Sequence, residues 1–415
     1  VRVAIMTAGS RGDVAPFTGL GQALVRAGHE VTLVTHGRFA PLVTGSGVGF
    51  HALAVDPRAE LLQTPRGQGM SRSTSAVGKM VRLAEMARAA AARMTDGLLA
   101  AAEDREVLLL SGSLVPLGHG IAEGLRLPSI GLHLQPLDPT REFAPSVLGA
   151  RSWGAVGNRL AGHGMGLAME QVLSTAVLEV RDRLGLPRQR PWAAWRARER
   201  ADWPVLHGFS PLVVPRPRDW RPGLEVTGYW WPYDRDPGLP PELRDFLDTG
   251  PAPVFVGLGS ATVPHPERLS AELVRALRRA GLRGVFQRGW GGLAADGDDM
   301  LTVGEVPHSV LFPRMAAVVH HAGAGTTAAG VRAGVPAVPV PVQFDAGFWA
   351  ARLVALGVAP GVVPLRRLTA GTLAPALVRA TRDPAFRERA RTLAARVRAE
   401  DGTAAVVERV NALRG

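Results

Sequence analysis

Two consecutive α/β domains, each built on a parallel sheet, are the fold class this sequence predicts. Three observations predict it. The chain opens on a strand, a glycine turn, a helix and a second strand; the same succession restarts at residue 254; and a stretch rich in proline and tryptophan separates the two runs. A chain of 415 residues also exceeds one ordinary core and suits two domains of roughly 200 residues each.

The elements follow in order. Val1 to Thr7 is a short apolar run rich in β-formers, Ala8 to Asp13 is a turn, and Phe17 to Ala27 has helical spacing. Gly28 stands where a helix ends, and Glu30 to Thr35 is the next strand. Val107 to Ser111 reads as a buried strand, followed by a helix around Gly118 to Gly124 and a strand from Ser129 to Leu134. Met80 to Ala102 and Gly166 to Leu184 read as helices. Between Leu212 and Pro241 prolines cluster around Trp220, Trp230 and Trp231; such a stretch cannot continue a helix or a sheet interior. Strands then follow at Val254 to Leu258, Gly284 to Gln287, Ala316 to His320 and Ala337 to Val340, with helices at Pro266 to Ala280 and Thr326 to Ala333. The expected division is therefore 1–212, a linker at 213–241, and 242–415, with the last helix a candidate to return to the first domain. The carboxyl-terminal strand edges of the two domains would face each other across a cleft.

Composition removes whole classes of chemistry. There is no cysteine, which excludes disulfides, thiolate metal sites and a cysteine nucleophile. With 46% hydrophobic residues the chain is not disordered, and no apolar run reaches the roughly 20 residues of a membrane span. The apolar start is of strand length and lacks a basic leader, so no signal peptide and a cytoplasmic location are the expectation. The net charge of +12 invites a nucleic-acid reading. Yet Lys79 is the only lysine, and the arginines are scattered along presumed helix faces instead of clustering with aromatics. Nucleic acid is not an expected partner; attraction to anionic small molecules stays open.

The most informative segment is His320-His321-Ala-Gly-Ala-Gly-Thr326-Thr327. It follows an apolar strand and precedes a helix, so its backbone N–H groups converge at a helix N-terminus, where orphan amides and the positive dipole end favour an anion. His321, Thr326 and Thr327 add side-chain donors, although a tight strand-to-helix turn alone would also use glycine. The first turn, Gly9-Ser10-Arg11-Gly12-Asp13, sets a carboxylate at the mouth of a helix, placed for a general base or, equally, for a helix cap. It fails the GxGxxG pattern, and His36 rather than an acid follows the second strand, which disfavours a nicotinamide enzyme. Gly257-Leu-Gly-Ser260 repeats the turn at the start of the second domain. Trp290, between Gly289 and Gly291, could stack a planar base or simply fill a core; Asp345 could bind sugar hydroxyls or cap a helix. No sequence spacing marks a metal site, and there is no GxSxG elbow.

The combination GSRGDVAPFTGLGQALVRAGHEV, VTGYWWP, PVFVGLGS, GWGGL, VPHSVLFPRMAAVVHHAGAGTTAAGVRAGVPAVPVPVQFD and FWAARLVALGVAP resembles the family-1 glycosyltransferases of GT-B fold, nearest to the bacterial natural-product and sterol branch. The resemblance runs through nearly the whole chain and is weakest at about 55–105 and 145–210. It implies two Rossmann-like, doubly wound domains and a nucleotide diphosphate sugar, on thymidine or uridine diphosphate, held mainly by the second. His321, Gly323, Gly325 and Thr326 match the pyrophosphate loop. Ser260 and Ser10 match residues that approach the phosphates from the two domains. Trp290 and the backbone of Val306 match positions facing the base. Asp13 falls at the catalytic-base position, implying an inverting transfer to an acceptor hydroxyl with neither covalent intermediate nor metal nor cofactor.

Two departures stand out. Ala322 replaces the usual glycine of HHGGAG, and Asp345-Ala346 replaces the Asp-Gln pair that grips sugar hydroxyls. A lost amide removes hydrogen bonds that a deoxygenated sugar would not miss, so a deoxysugar donor is expected, on thymidine diphosphate. Phe143, Leu148, Trp153, Met165 and Met169 suit a hydrophobic natural-product aglycone, or plain core packing. A same-fold nucleotide-sugar epimerase and a non-catalytic auxiliary protein remain the alternative readings, and a homodimer stays open.

Overall fold

A computed structural model describes residues 1–56, 76–234, 238–261, 263–342 and 344–413. The first half runs β1 (Arg2–Met6), α1 (Arg11–Arg26), β2 (Glu30–His36), β3 (Gly49–Leu53), α2 (Ala76–Ala102), β4 (Val107–Ser111), α3 (Val115–Leu125), β5 (Ser129–His133), α4 (Gly154–Arg183), α5 (Pro191–Arg200), β6 (Val205–His207) and β7 (Leu224–Val226). The second runs α6 (Pro241–Asp248), β8 (Val254–Gly257), α7 (Pro266–Ala280), β9 (Gly284–Gln287), β10 (Met300–Val303), α8 (His308–Leu311), β11 (Ala317–His320), α9 (Ala324–Ala333), β12 (Ala337–Pro339), α10 (Ala346–Ala355), α11 (Ala370–Arg382), α12 (Pro384–Arg398) and α13 (Ala404–Ala412).

The strands form two all-parallel sheets, ordered β3-β2-β1-β4-β5-β6-β7 and β10-β9-β8-β11-β12. Parallel strands with helices on both faces are buried on both sides, and β4 accordingly is a continuous buried run in which Leu108, Leu109 and Leu110 have no exposed surface. Removing each leucine from water contributes about 2 kcal/mol. In both sheets the strand order reverses once, between β1 and β4 and between β8 and β11. Crevices for ligands open at such reversals, beyond the strand ends. The turns leaving β1 and β8 and the loop leaving β11 lie there, which is where the sequence placed its candidate residues.

Several elements differ from their sequence-based limits. Helix α4 begins at Gly154, well before the expected Gly166. Gly157, Gly162, Gly164 and Gly166 weaken local propensity, but packing overrides it: a Cβ at Gly162 would stand 2.7 Å from Pro139 Cα, so the glycine lets the helix lie on that loop. Residues 213–241 hold β7 on the edge of the first sheet, where a proline-bounded strand is tolerated. Trp220 and Trp230 are buried there, and Trp230 Nε1 donates to Gly402 O at 2.8 Å. Near the end of the chain, Val406 and Val410 of α13 are fully buried in one cluster with Ile5, Leu20 and Trp230. Among the described residues no helix is long and apolar enough to cross a membrane.

Candidate functional site

The first turn is built around Asp13. Ser10 is the N-cap of α1, and Asp13, three residues on, turns its carboxylate back to it: Oδ2 accepts from Ser10 N at 2.8 Å and Ser10 Oγ at 2.9 Å. Asp13 is thus not itself the cap, as the structural alternative would have it; it forms the far side of a capping box. Thr7 Oγ1 donates to Asp13 O at 2.7 Å, and the Gln135 side chain also bonds the carboxylate. Burial raises the Asp13 pKa, and the hydrogen bonds from Ser10 and Gln135 offset it only in part. Gly9 is demanded twice over. Its φ is 141°, and a Cβ there would stand 2.5 Å from Asp13 Oδ2. His36, at the end of β2, fixes the turn by accepting from Gly9 N at 3.0 Å. In the sequence His36 marks only the absence of an acid after the second strand.

In the second half, His321 sits between two backbones. A side chain at Gly259 would meet His321 Cε1 at 2.8 Å, and one at Gly323 would overlap His321 Nε2. Gly289 closes in on Gly259 O, and Trp290 N donates to that oxygen at 2.9 Å. The structure therefore brings Gly259, Ser260, Trp290, His321 and Gly323 into one group. Gly323 is the N-cap of α9, and Ala324, Gly325 and Thr326 form its first turn, so their amides are the orphan donors of a helix start. Ala322 takes φ 59° with its methyl fully buried. The turn a glycine would make is made here with a methyl, at a backbone cost of about 1 kcal/mol that burial of the methyl offsets.

The histidines of this region are neutral. Burial pushes His321 down to about 4 and His320 to about 3. His308, stacked on Phe312 at 4.2 Å, is pushed to about 3 by burial and then by Arg11 and His321. The loop thus offers amides, hydroxyls and neutral imidazoles, not fixed positive charge. Val306 lies in the loop after β10 with its side chain buried. Around Trp290 and Glu305 the two halves touch: the Arg38 guanidinium lies 5.7 Å from the Trp290 ring, and Arg11 pairs with Glu305 at 2.5 Å.

Asp345 occupies the N-cap position of α10, yet its carboxylate takes Trp349 Nε1 at 2.6 Å instead of a helix amide. Burial and then the Asp13 charge raise it to about 6, with the Trp349 bond opposing. That coupling joins the two halves of the site. Gln343, beside it, lies outside the described residues. Of the aglycone candidates, Leu148, Trp153 and Met169 are exposed, so plain core packing does not account for them; Phe143 meets Phe348 of α10 edge to face at 5.3 Å.

One group escaped the sequence analysis, which found no metal-ligand spacing. His133 and His207 end the neighbouring strands β5 and β6, and Asp138 folds back between them, so ligand atoms of all three lie within 4.8 Å of one another. Distant positions meet because parallel strand ends align, which no local spacing reveals. Asp138 Oδ2 lies 3.1 Å from His133 Nδ1 and 3.0 Å from His207 Nε2. Burial opposes ionisation of Asp138, but the charges and hydrogen bonds of the two imidazoles outweigh it and hold the carboxyl well below the usual range.

Fold and site together define a protein of two doubly wound parallel sheets, with a half-buried carboxylate at the first turn of one half and the orphan amides of a helix start in the other. Residues 289–413 match the family model "Erythromycin biosynthesis protein CIII-like, C-terminal domain", and residues 3–102 match "Glycosyltransferase family 28 N-terminal domain". The chain is 36% identical to an O-mycaminosyltylonolide 6-deoxyallosyltransferase of Streptomyces fradiae over 97% of its own length and 95% of that protein's. It is 32% identical to a sterol 3-beta-glucosyltransferase of Arabidopsis thaliana over 98% of its own length, and spans 65% of that relative. A Streptomyces sp. SF2575 glycosyltransferase, crystallised in complex with thymidine diphosphate, superposes with a TM-score of 0.64 at 22% identity, covering 99% of each chain. The chain belongs to the family-1 GT-B glycosyltransferases.

Proposed function

We propose that the protein transfers a hexose or deoxyhexose from a thymidine or uridine diphosphate sugar to a hydroxyl of a hydrophobic natural-product aglycone. The observation that carries the reading is that the first turn reaches the second half of the chain: Arg11, two residues before Asp13, pairs with Glu305, beside Val306, at 2.5 Å. Asp13, raised by burial, takes the proton of the acceptor hydroxyl as its oxygen attacks the anomeric carbon. The bond to the diphosphate breaks on the opposite face, with inversion. Negative charge accumulating on the leaving diphosphate is met by the amides at the α9 start, by Thr326 and by His321, with Ser10 and Ser260 approaching from the two turns. Trp290 and the backbone of Val306 receive the base. Asp345 accepts hydrogen bonds from the sugar.

The relatives' names favour group transfer over epimerisation or an auxiliary role, since both act as transferases, one on a macrolactone glycoside and one on sterols. Ala346, buried where the family usually carries an amide, favours a deoxysugar on thymidine diphosphate. A screen of glucose and 6-deoxyhexose donors against macrolactone and sterol acceptors, read by product mass, tests this. The expected product gains a deoxyhexose mass. A clear preference for glucose contradicts the deoxysugar assignment, and donor conversion without any acceptor contradicts transfer.

A further inference from the structure

The His133–Asp138–His207 group lies on the acceptor half, outside every role assigned above. His207 is fully buried and stacks on Trp220 with ring centroids 4.4 Å apart. Its Nδ1 lies 2.9 Å from Glu225 O, which can only accept, and its Nε2 faces Asp138 Oδ2. Burial favours the neutral ring, yet two acceptors require two protons. The geometry decides for the ion pair with Asp138, supported by the stacked indole face. On the same oxygen, His133 uses its proton on Nδ1. That bond orients the ring and turns Nε2 away from Asp138.

On the far side of the His133 ring residue 112 is glycine, which leaves the Nε2 edge clear of a side chain. A Cβ there would stand 3.2 Å from His133 Cδ2 and 3.5 Å from Nε2. The same stretch is tied to the first turn: Ser113 Oγ donates to Ala8 O at 3.1 Å, and Gln135, two residues beyond His133, bonds the Asp13 carboxylate. The strand end that carries His133 is therefore tied to the turn that carries the base.

We propose that His133, held by Asp138, is a specificity-determining residue whose Nε2 accepts a hydrogen bond from a second hydroxyl of the acceptor, next to the one that Asp13 deprotonates. The inference rests on the transfer reading and names its substrate class: acceptors with two neighbouring hydroxyls. A monohydric acceptor leaves Nε2 without that partner, which costs affinity.

The test compares 2-naphthol with 2,3-dihydroxynaphthalene in wild type and in His133→Asn, whose amide keeps a donor toward Asp138 but lacks the acceptor beyond it. Transfer is read as kcat and KM, and binding of both probes by calorimetry in the presence of thymidine diphosphate. Wild type is expected to favour the diol about tenfold, through KM and binding, and His133→Asn to lose that preference. Absence of a diol preference in wild type, or equal losses on both probes in His133→Asn, overturns the proposal. One retained zinc equivalent per chain that disappears in His133→Asn also overturns it, making the group a metal site. Asp13→Asn, run alongside, reports separately on the base: undiminished turnover there removes Asp13 from that role, whereas absence of product from wild type with both probes removes the transfer reading and leaves the binding comparison to judge His133.

Discussion

Asp13 in the first turn of α1 raises the pKa of Asp345 at the head of α10, in the other half of the chain. Each is also desolvated, so the site holds two carboxyls of raised pKa at the junction of its two halves. A base that takes a proton from an alcohol gains from such tuning, because its conjugate acid is then less unfavourable.

The coupling sets a stability profile. Asp345 is raised from 3.8 to about 6, so the folded chain binds more protons than the unfolded chain between those values. Stability from this group is therefore greatest at low pH and falls as pH rises through about 6. Asp345→Asn should raise the melting temperature above pH 6, with the gap closing toward about pH 4. Scanning calorimetry across that range checks it; a gap that widens on acidification refutes it.

Removing Asp345 should also ease ionisation of Asp13. The acid limb of the pH–rate profile is expected to move to lower pH in Asp345→Asn, whatever happens to donor affinity. An unmoved limb would mean that the two carboxyls do not communicate during turnover.

The donor loop should be silent to pH in the neutral range. His308, His320 and His321 are pushed to about 3, 3 and 4, so none of the three charges above about pH 5. Long-range proton–nitrogen NMR is expected to show three neutral rings from pH 5 to 8. Titration of His321 near 6.5 would contradict the burial that isolates it.

Gly9→Ala places a methyl 2.5 Å from Asp13 Oδ2 at φ 141°. The side chain of Asp13 must move, and the bonds from Ser10 with it. We expect at least a hundredfold loss of kcat with a stability cost of about 1–3 kcal/mol, read by transfer kinetics and urea unfolding. Near-normal kcat would show that the carboxylate need not hold its present place.

How much of this was legible depended on whether a signal was local. β4, α7 and β9 came out at their observed limits because apolar runs and proline or glycine boundaries sit next to one another in the chain. The α9 loop was legible for the same reason. The start of α4 was not, because Gly162 within it is explained only by Pro139 packing against it. Nor could spacing reveal that Asp138 joins His133 to His207, or that the Asp13 charge acts on Asp345; sheet order and the closeness of the two halves create both. Local chemistry could be read from the chain, and its pairing required the fold.

The central claim is that Asp13 is the base and the α9 loop the phosphate cradle, acting as separable parts. Asp13→Asn, assayed for transfer and for thymidine diphosphate binding by calorimetry, tests it most directly. The account predicts a loss of kcat on the order of 10²–10⁴-fold with diphosphate affinity within about twofold of wild type. Transfer that survives within tenfold in Asp13→Asn would contradict it.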